Sequence, residues 1–163
     1  KLCPCGCYNH PEKECIYGPG QVQKYLSRIS GPLLDRIDIH IEIVPVPFEK
    51  LSELQESEKS EIIRQRIINA RGIQESRFKD IDGIYCNAQM SSKLLREFGT
   101  PDEVGAAILK NAMQRLNLSA RAYDRILKVS RTIADMEGSE RVLSEHIAEA
   151  VNYRNLDREG WAG

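Results

Sequence analysis

The sequence predicts a mainly α protein: a helical bundle over residues 48–163, preceded over 1–47 by a loop, a short helix and one strand. Three observations predict it. From Ser60 onward, apolar residues recur at three- and four-residue intervals, the spacing that gives a helix one buried face. Residues that cap helices stand at the breaks between these runs. Only between Ile37 and Ile43 does the period change to two, where Ile37, Ile39, Ile41 and Ile43 alternate with Asp38, His40 and Glu42, as in a strand with one covered face.

The elements follow in order. Residues 1–23 are rich in Cys, Gly and Pro and read as a loop. A short helix is expected from about Gln21 to Ile29, then a helical turn, Ser30 to Arg36, that feeds the strand. Pro45-Val46-Pro47 stops the strand, because proline cannot donate to a sheet ladder, and is expected to be the hinge into the helical part. A lone strand has unpaired edges, so parts of the first fifty residues are expected to be poorly ordered or paired with another copy.

Ser60 opens a long helix that reaches toward Phe78, and Asp82-Gly83 is a turn. Ser91 begins a short helix that Gly99 ends. Thr100-Pro101-Asp102-Glu103 reads as a helix start, with threonine as the cap, proline at the first helical position and Glu103 closing a capping box. Val104, Ile108, Ala112 and Met113 then share an apolar face. Ser119 caps the next helix, where Ala122, Ile126, Val129 and Ile133 recur and Gly138 is the stop. Ser144 starts the last helix, with Ile147 and Val151 inward.

A length of 163 residues suits one domain, or a small domain carrying an extension. Charged residues are plentiful, yet the net charge is −1, so no global basic field draws in nucleic acid. No apolar run is long enough to span a bilayer and no signal peptide is visible, so the chain is expected to be soluble and cytoplasmic, with no membrane partner.

Arg36 stands where the helical turn meets the alternating segment, a corner from which a guanidinium can be aimed outside the domain. Its planar fork stays charged and bonds phosphate at two points. A structural arginine bonded to Asp38 or to a helix C-terminus is the plain alternative, and Arg28 is a rival. Arg121 lies two residues after the Ser119 cap, in a first turn whose free N–H groups and dipole favour anions. Around that helix Arg121, Arg125, Lys128 and Thr132 form a shoulder beside the apolar stripe; a solvated basic stripe is the plain alternative.

Leu33-Leu34-Asp35-Arg36 with the apolar segment behind it resembles the arginine-finger corner of AAA+ ATPases of the magnesium-chelatase and replicative-helicase clade. Cys3-Pro4-Cys5-Gly6, the run from Tyr25 to Arg36, Ser119 to Tyr123 and Arg131 to Asp135 narrow the resemblance to magnesium-chelatase-like proteins of the ComM/YifB type, linked to competence and DNA recombination. The resemblance covers nearly the whole chain. It implies that residues 1–47 are the C-terminal remnant of an α/β nucleotide-binding core and that 48–163 are the helical lid. It also implies Arg36 as an arginine finger acting in trans on ATP, Arg121 as the sensor 2 arginine, a homo-oligomeric and hexameric ring, ATP with Mg2+, and DNA as the parent's substrate.

No G-x-x-x-x-G-K-[ST] loop occurs, and the chain starts at Lys1-Leu2 without methionine. It therefore reads as the C-terminal piece of a longer ATPase that should be inactive alone. A metal-chelatase motor subunit is the second reading, and a stand-alone helical interaction or DNA-binding module is the third.

Cys3, Cys5, Cys7 and Cys15 crowd together with His10 among them. Such clustering outside an oxidising compartment points to Zn2+ rather than disulfides, because a tetrahedral site needs four soft or borderline ligands. Free thiols in a loop are the alternative. The family pattern has Cys-x-Cys at the second pair, where this chain carries Cys15-Ile16-Tyr17, so Cys7 is expected to substitute. His40 on the polar face of the strand and His146 near a helix start show no ligand partner. Arg64, Arg66, Arg71 and Arg77 read as a solvated face, Cys86 as an apolar filler and Trp161 as part of a tail.

Overall fold

The structure, a computed structural model, describes residues 3–8, 10, 12–41, 43, 46 and 57–154. The Pro45 and Pro47 of the expected hinge, Lys1, Leu2 and Trp161 lie outside the described residues. Helices α1 (Pro19–Leu26) and α2 (Gly31–Leu34) precede the bundle, which comprises α3 (Ser60–Phe78), α4 (Ser92–Phe98), α5 (Glu103–Arg115), α6 (Ala120–Met136) and α7 (Ser144–Asn152). A 3₁₀ turn, Asn87–Gln89, bridges α3 to α4. The mainly helical fold expected from the sequence is present. No helix among the described residues is long and apolar enough to cross a membrane.

Helix α6 is the centre of the bundle, packed on α3, α4 and α7, and α7 packs in turn on α5. Its buried side chains, Ala122, Ile126, Leu127, Ser130, Arg131, Ala134 and Asp135, follow the helical period. Phe78, Met90, Leu95, Leu109, Val142 and Ile147 complete the core around it. Phe78 and Phe98 meet edge to face, with centroids 6.0 Å apart.

Local chemistry fixes the ends. Ser91 accepts from the Leu94 N–H and Ser119 from the Ala122 N–H, as expected of caps. Gly138 adopts φ 72°, which closes α6. Gly105 lets α5 approach α7: a Cβ there would meet Asp102 Oδ1 at 2.8 Å and Ile147 Cγ1 at 3.2 Å.

Several expectations need correction. Thr100 does not cap α5. Pro101 instead pairs in an isolated parallel bridge with Val142, and Asp102 takes the cap by accepting from the Gly105 N–H at 2.7 Å. The inward face of α5 is accordingly carried by Gly105 and Leu109, while Val104 is exposed. The buried face of α6 is rotated from the expected one, leaving Val129 and Ile133 half-buried beside it. The first helix runs Pro19–Leu26 rather than Gln21 to Ile29.

The largest departure is the expected strand. No strand forms over the described part of 37–43, and Ile37, Ile39, Ile41 and Ile43 are exposed, the last by 88%. An alternating segment becomes a strand only when another strand completes its hydrogen bonds, and no described segment does so. His40, expected on the polar face, is the buried member instead, and its N–H donates to the Tyr153 carbonyl at 2.7 Å.

Candidate functional site

The corner at Arg36 is built by α2 and fastened by the end of the bundle. Ser30 O accepts from the Leu33 and Leu34 N–H groups, Leu33 O from the Arg36 N–H and Leu34 O from the Ile37 N–H, so the turn is closed by its own backbone. Arg154, at the end of α7 and fully buried, donates to the Ile37 carbonyl and lies 3.8 Å from the Asp35 carboxylate. Arg125 of α6 pairs with Asp38. These contacts tie the segment after the corner to the bundle, although Arg154 and Ile37 stand far apart in sequence. Arg36 itself is exposed, and no ion pair joins it to any described residue. Arg28, the rival, sits 5.6 Å over the Tyr25 ring, a neighbour on its own helical turn.

Beside the corner a cleft of about 710 Å3 opens between residues 38–41 and α6. Its apolar surface comes from Ile39, Ile41, Val129, Ile133 and Met136. Arg121, Arg125, Lys128 and Thr132, the shoulder read from the sequence, all line it. Arg121 is exposed and lies in the first turn after the Ser119 cap, with no ion pair to a described residue. The Lys128 ammonium donates to the Ala88 carbonyl at 2.8 Å, and Arg125 is held by Asp38. Of this basic edge, Arg121 is thus the guanidinium without a described anionic partner. The arrangement suits a ligand with an apolar body and an anionic end.

In the N-terminal loop the Cys3, Cys5 and Cys15 sulfurs converge within 4.8 Å of one another. Cys7 does not join them. Its thiol donates to the Cys5 carbonyl at 3.8 Å. His10 is turned to local use, its Nδ1 accepting from the Glu12 N–H at 3.0 Å. The Cys7 backbone N–H and the Cys3 thiol, both directed at the Cys5 sulfur, bring its pKa down to about 7. The Tyr17 N–H acts the same way on Cys15, but loss of water and the neighbouring Cys5 and Cys3 outweigh it and push that thiol up to about 11. Burial, then the nearby Cys5, raises Cys7.

Comparison with known proteins decides the family. The profile described as magnesium chelatase, subunit ChlI C-terminal, matches residues 57–154, and the profile of magnesium chelatase, subunit ChlI, matches 1–51. The chain belongs to the magnesium chelatase ChlI C-terminal family. It is 40% identical over 141 residues to the competence protein ComM of Haemophilus influenzae, covering 86% of this chain and 27% of that protein. It is 38% identical over 156 residues to YifB of Escherichia coli, covering 95% and 29%, and 31% identical over 151 residues to a protein of Mycobacterium bovis, covering 93% and 30%. The chain therefore spans under a third of the length of these curated relatives. These matches make it a magnesium-chelatase-like AAA+ chain of the ComM and YifB kind.

In this member of the family, the polar groups that the sequence left aside organise the bundle. Asp135 is buried and accepts from Arg77 Nη1 at 2.8 Å, from Asn87 Nδ2 at 2.7 Å and from Arg131 Nε at 3.1 Å. Arg77 is thus no part of a solvated face: its side chain is 12% exposed and its guanidinium also lies near the Phe78 and Phe98 rings. Arg131 donates further to the Ser139 and Glu140 carbonyls, capping the loop after α6. Burial pushes Arg131 down from its ordinary pKa, and the Asp135 charge opposes that shift. His146 also has partners. Its Nδ1 accepts from the Leu143 N–H at 2.8 Å at the start of α7, and its Nε2 lies 2.9 Å from Glu137. The four-residue spacing of Arg131 and Asp135 is the one sequence signal for this network, and it does not show that the pair is buried.

Proposed function

We propose that the chain is the C-terminal part of a ring-forming AAA+ ATPase, six copies to the ring, to which it contributes two arginines. Arg36 enters from one subunit toward the γ-phosphate of ATP held by its neighbour, where a bidentate fork meets the charge that develops as the phosphoryl group leaves. Arg121, the sensor 2 residue, touches the nucleotide of its own subunit and ties the angle of the helical lid to phosphate occupancy. ATP and Mg2+ would be held by a phosphate loop, a motif this sequence does not contain.

The observation that carries this reading is the position of two exposed guanidiniums, Arg36 on the braced corner and Arg121 on the edge of the cleft; Arg64, Arg71, Arg96, Arg115 and Arg141 are exposed too, but stand at neither place. Arg125, Arg131 and Arg77 are tied to carboxylates, whereas Arg36 and Arg121 are exposed with no described anionic partner. An exposed guanidinium on a corner braced by Arg154 has a fixed direction and an open charge. In the full-length ATPase, Arg36→Ala is expected to leave ATP binding near normal and to lower ring-stimulated hydrolysis about a thousandfold. Arg121→Ala is expected to weaken nucleotide binding and turnover together. Wild-type hydrolysis in either variant overturns the corresponding role.

The parent motor would act on DNA in recombination or transformation, a reading supported by the name of the competence protein among the relatives. The profile descriptions support a second reading, a motor subunit of a metal chelatase. ATPase activity of the full-length protein that rises with added DNA favours the first; indifference to DNA, with capture of chelatase partner subunits, favours the second. A steeply salt-dependent gel shift by the 163-residue chain alone would instead mark a stand-alone DNA-binding module.

A further inference from the structure

The thiol triangle of the N-terminal loop has no part in nucleotide chemistry. We infer that Cys3, Cys5 and Cys15 hold a zinc ion as three thiolate ligands, with Cys7 outside the set and the fourth position open to water or another donor. The inference stands apart from the nucleotide reading.

Distances support it first. The sulfurs are 3.2 Å apart for Cys3 and Cys5, 3.6 Å for Cys5 and Cys15, and 3.6 Å for Cys15 and Cys3. A tetrahedral zinc about 2.3 Å from each sulfur sets sulfur–sulfur separations near 3.8 Å, so a few tenths of an ångström of expansion admits the ion. A disulfide would need about 2.05 Å, and all three cysteines are free.

The backbone supports it independently. Gly6 adopts φ 80°, a conformation a side chain resists, just after Cys5. Its N–H donates to the Cys3 carbonyl at 3.1 Å, which folds Cys3 to Gly6 into a tight turn. Beyond that turn the Tyr8 N–H reaches the Cys3 sulfur at 3.2 Å. Neutral thiols are weak acceptors, whereas thiolates around a metal are steadied by such donors. An amide aimed at one of three converging sulfurs therefore matches a ligated state.

The energetics of the loop point the same way. The apolar cluster beneath it has three buried members, Cys3, Val22 and Leu26, with Cys5, Cys15 and Tyr17 packed alongside. So small a core cannot by itself order a loop of this length, and a bound metal supplies the missing stabilisation. The ion would clasp the loop onto α1, which leads through Ser27–Ser30 into α2 and the Arg36 corner.

The test is elemental analysis of the purified 163-residue chain, with cobalt substitution as the optical probe. One zinc per chain is expected, and the Co2+ form should show thiolate-to-cobalt charge transfer with tetrahedral d–d bands. Cys7→Ser should keep both. Cys3→Ser, Cys5→Ser and Cys15→Ser should each lose the metal while the helical circular dichroism of the remote bundle persists, which separates lost ligation from unfolding. A chain that purifies without zinc and gains no thiolate–cobalt band on titration overturns the inference. Loss of metal from Cys7→Ser, or its retention in any of the other three, overturns the ligand set.

Discussion

The bundle of residues 57–154 and the segment before it use the same residue types to opposite ends. Ile126 and Ile147 are at most 1% exposed, whereas Ile41 and Ile43 are exposed by 70% and 88%. Arg131 and Arg77 are sunk against Asp135, while Arg36, like Arg121 of the bundle, stands in the open. The difference lies in how each element satisfies its backbone. A helix closes its hydrogen bonds within itself and needs only a neighbouring face to cover its apolar stripe; α5, α6 and α7 find that face in one another, whereas α3 keeps its helix even where Ile62, Ile63, Ile67 and Ile68 are exposed. An alternating segment must borrow its hydrogen bonds from another strand, and no described segment offers one.

Substitutions can break or sharpen that contrast. The largest effect is expected at Asp135. Asp135→Ala strands two buried guanidiniums and should cost about 3–5 kcal/mol, read from the denaturation midpoint of the chain. A loss no greater than that of a surface change would mean that the carbonyls of Ser139 and Glu140 suffice for Arg131. Gly105→Ala comes next, at about 1–3 kcal/mol, because the added Cβ drives Asp102 from its capping position and α7 from α5. Urea unfolding at unchanged slope measures it. Removing the Ser119 cap by Ser119→Ala should cost about 1 kcal/mol, seen as reduced thermal stability of α6. The smallest effect belongs to the other region. Ile41→Ser should change stability by less than about 0.5 kcal/mol in the 163-residue chain, and a larger loss would reveal that the isoleucine row is covered in solution.

Much of this architecture was legible before any coordinates. The long helix from Ser60 to Phe78, the caps at Ser91 and Ser119 and the stop at Gly138 each rest on local chemistry, and each lies where the sequence puts it. Thr100 misled because its cap signal is as good locally as that of Asp102, and the bridge between Pro101 and Val142 chooses between them. The basic shoulder of α6 was legible because helical periodicity is itself geometry. The place of Cys7 was not legible, because spacing counts ligands without orienting them; its thiol donates to the Cys5 carbonyl.

By itself, then, the sequence determined the helices of the bundle, the ends set by Ser91, Ser119 and Gly138 and the positions of Arg36 and Arg121 on exposed turns, because those depend on interactions reaching no more than four residues along the chain. Tertiary structure alone decided that Asp135 gathers Arg77 and Arg131, that His146 finds Glu137, and that Arg154 fastens the corner through Ile37. Apart from Arg131 and Asp135, which stand one turn apart on α6, each of these partnerships joins groups on different elements or across a loop. Which distant group arrives beside a given charge depends on how the helices pack, and no periodicity in the chain encodes that.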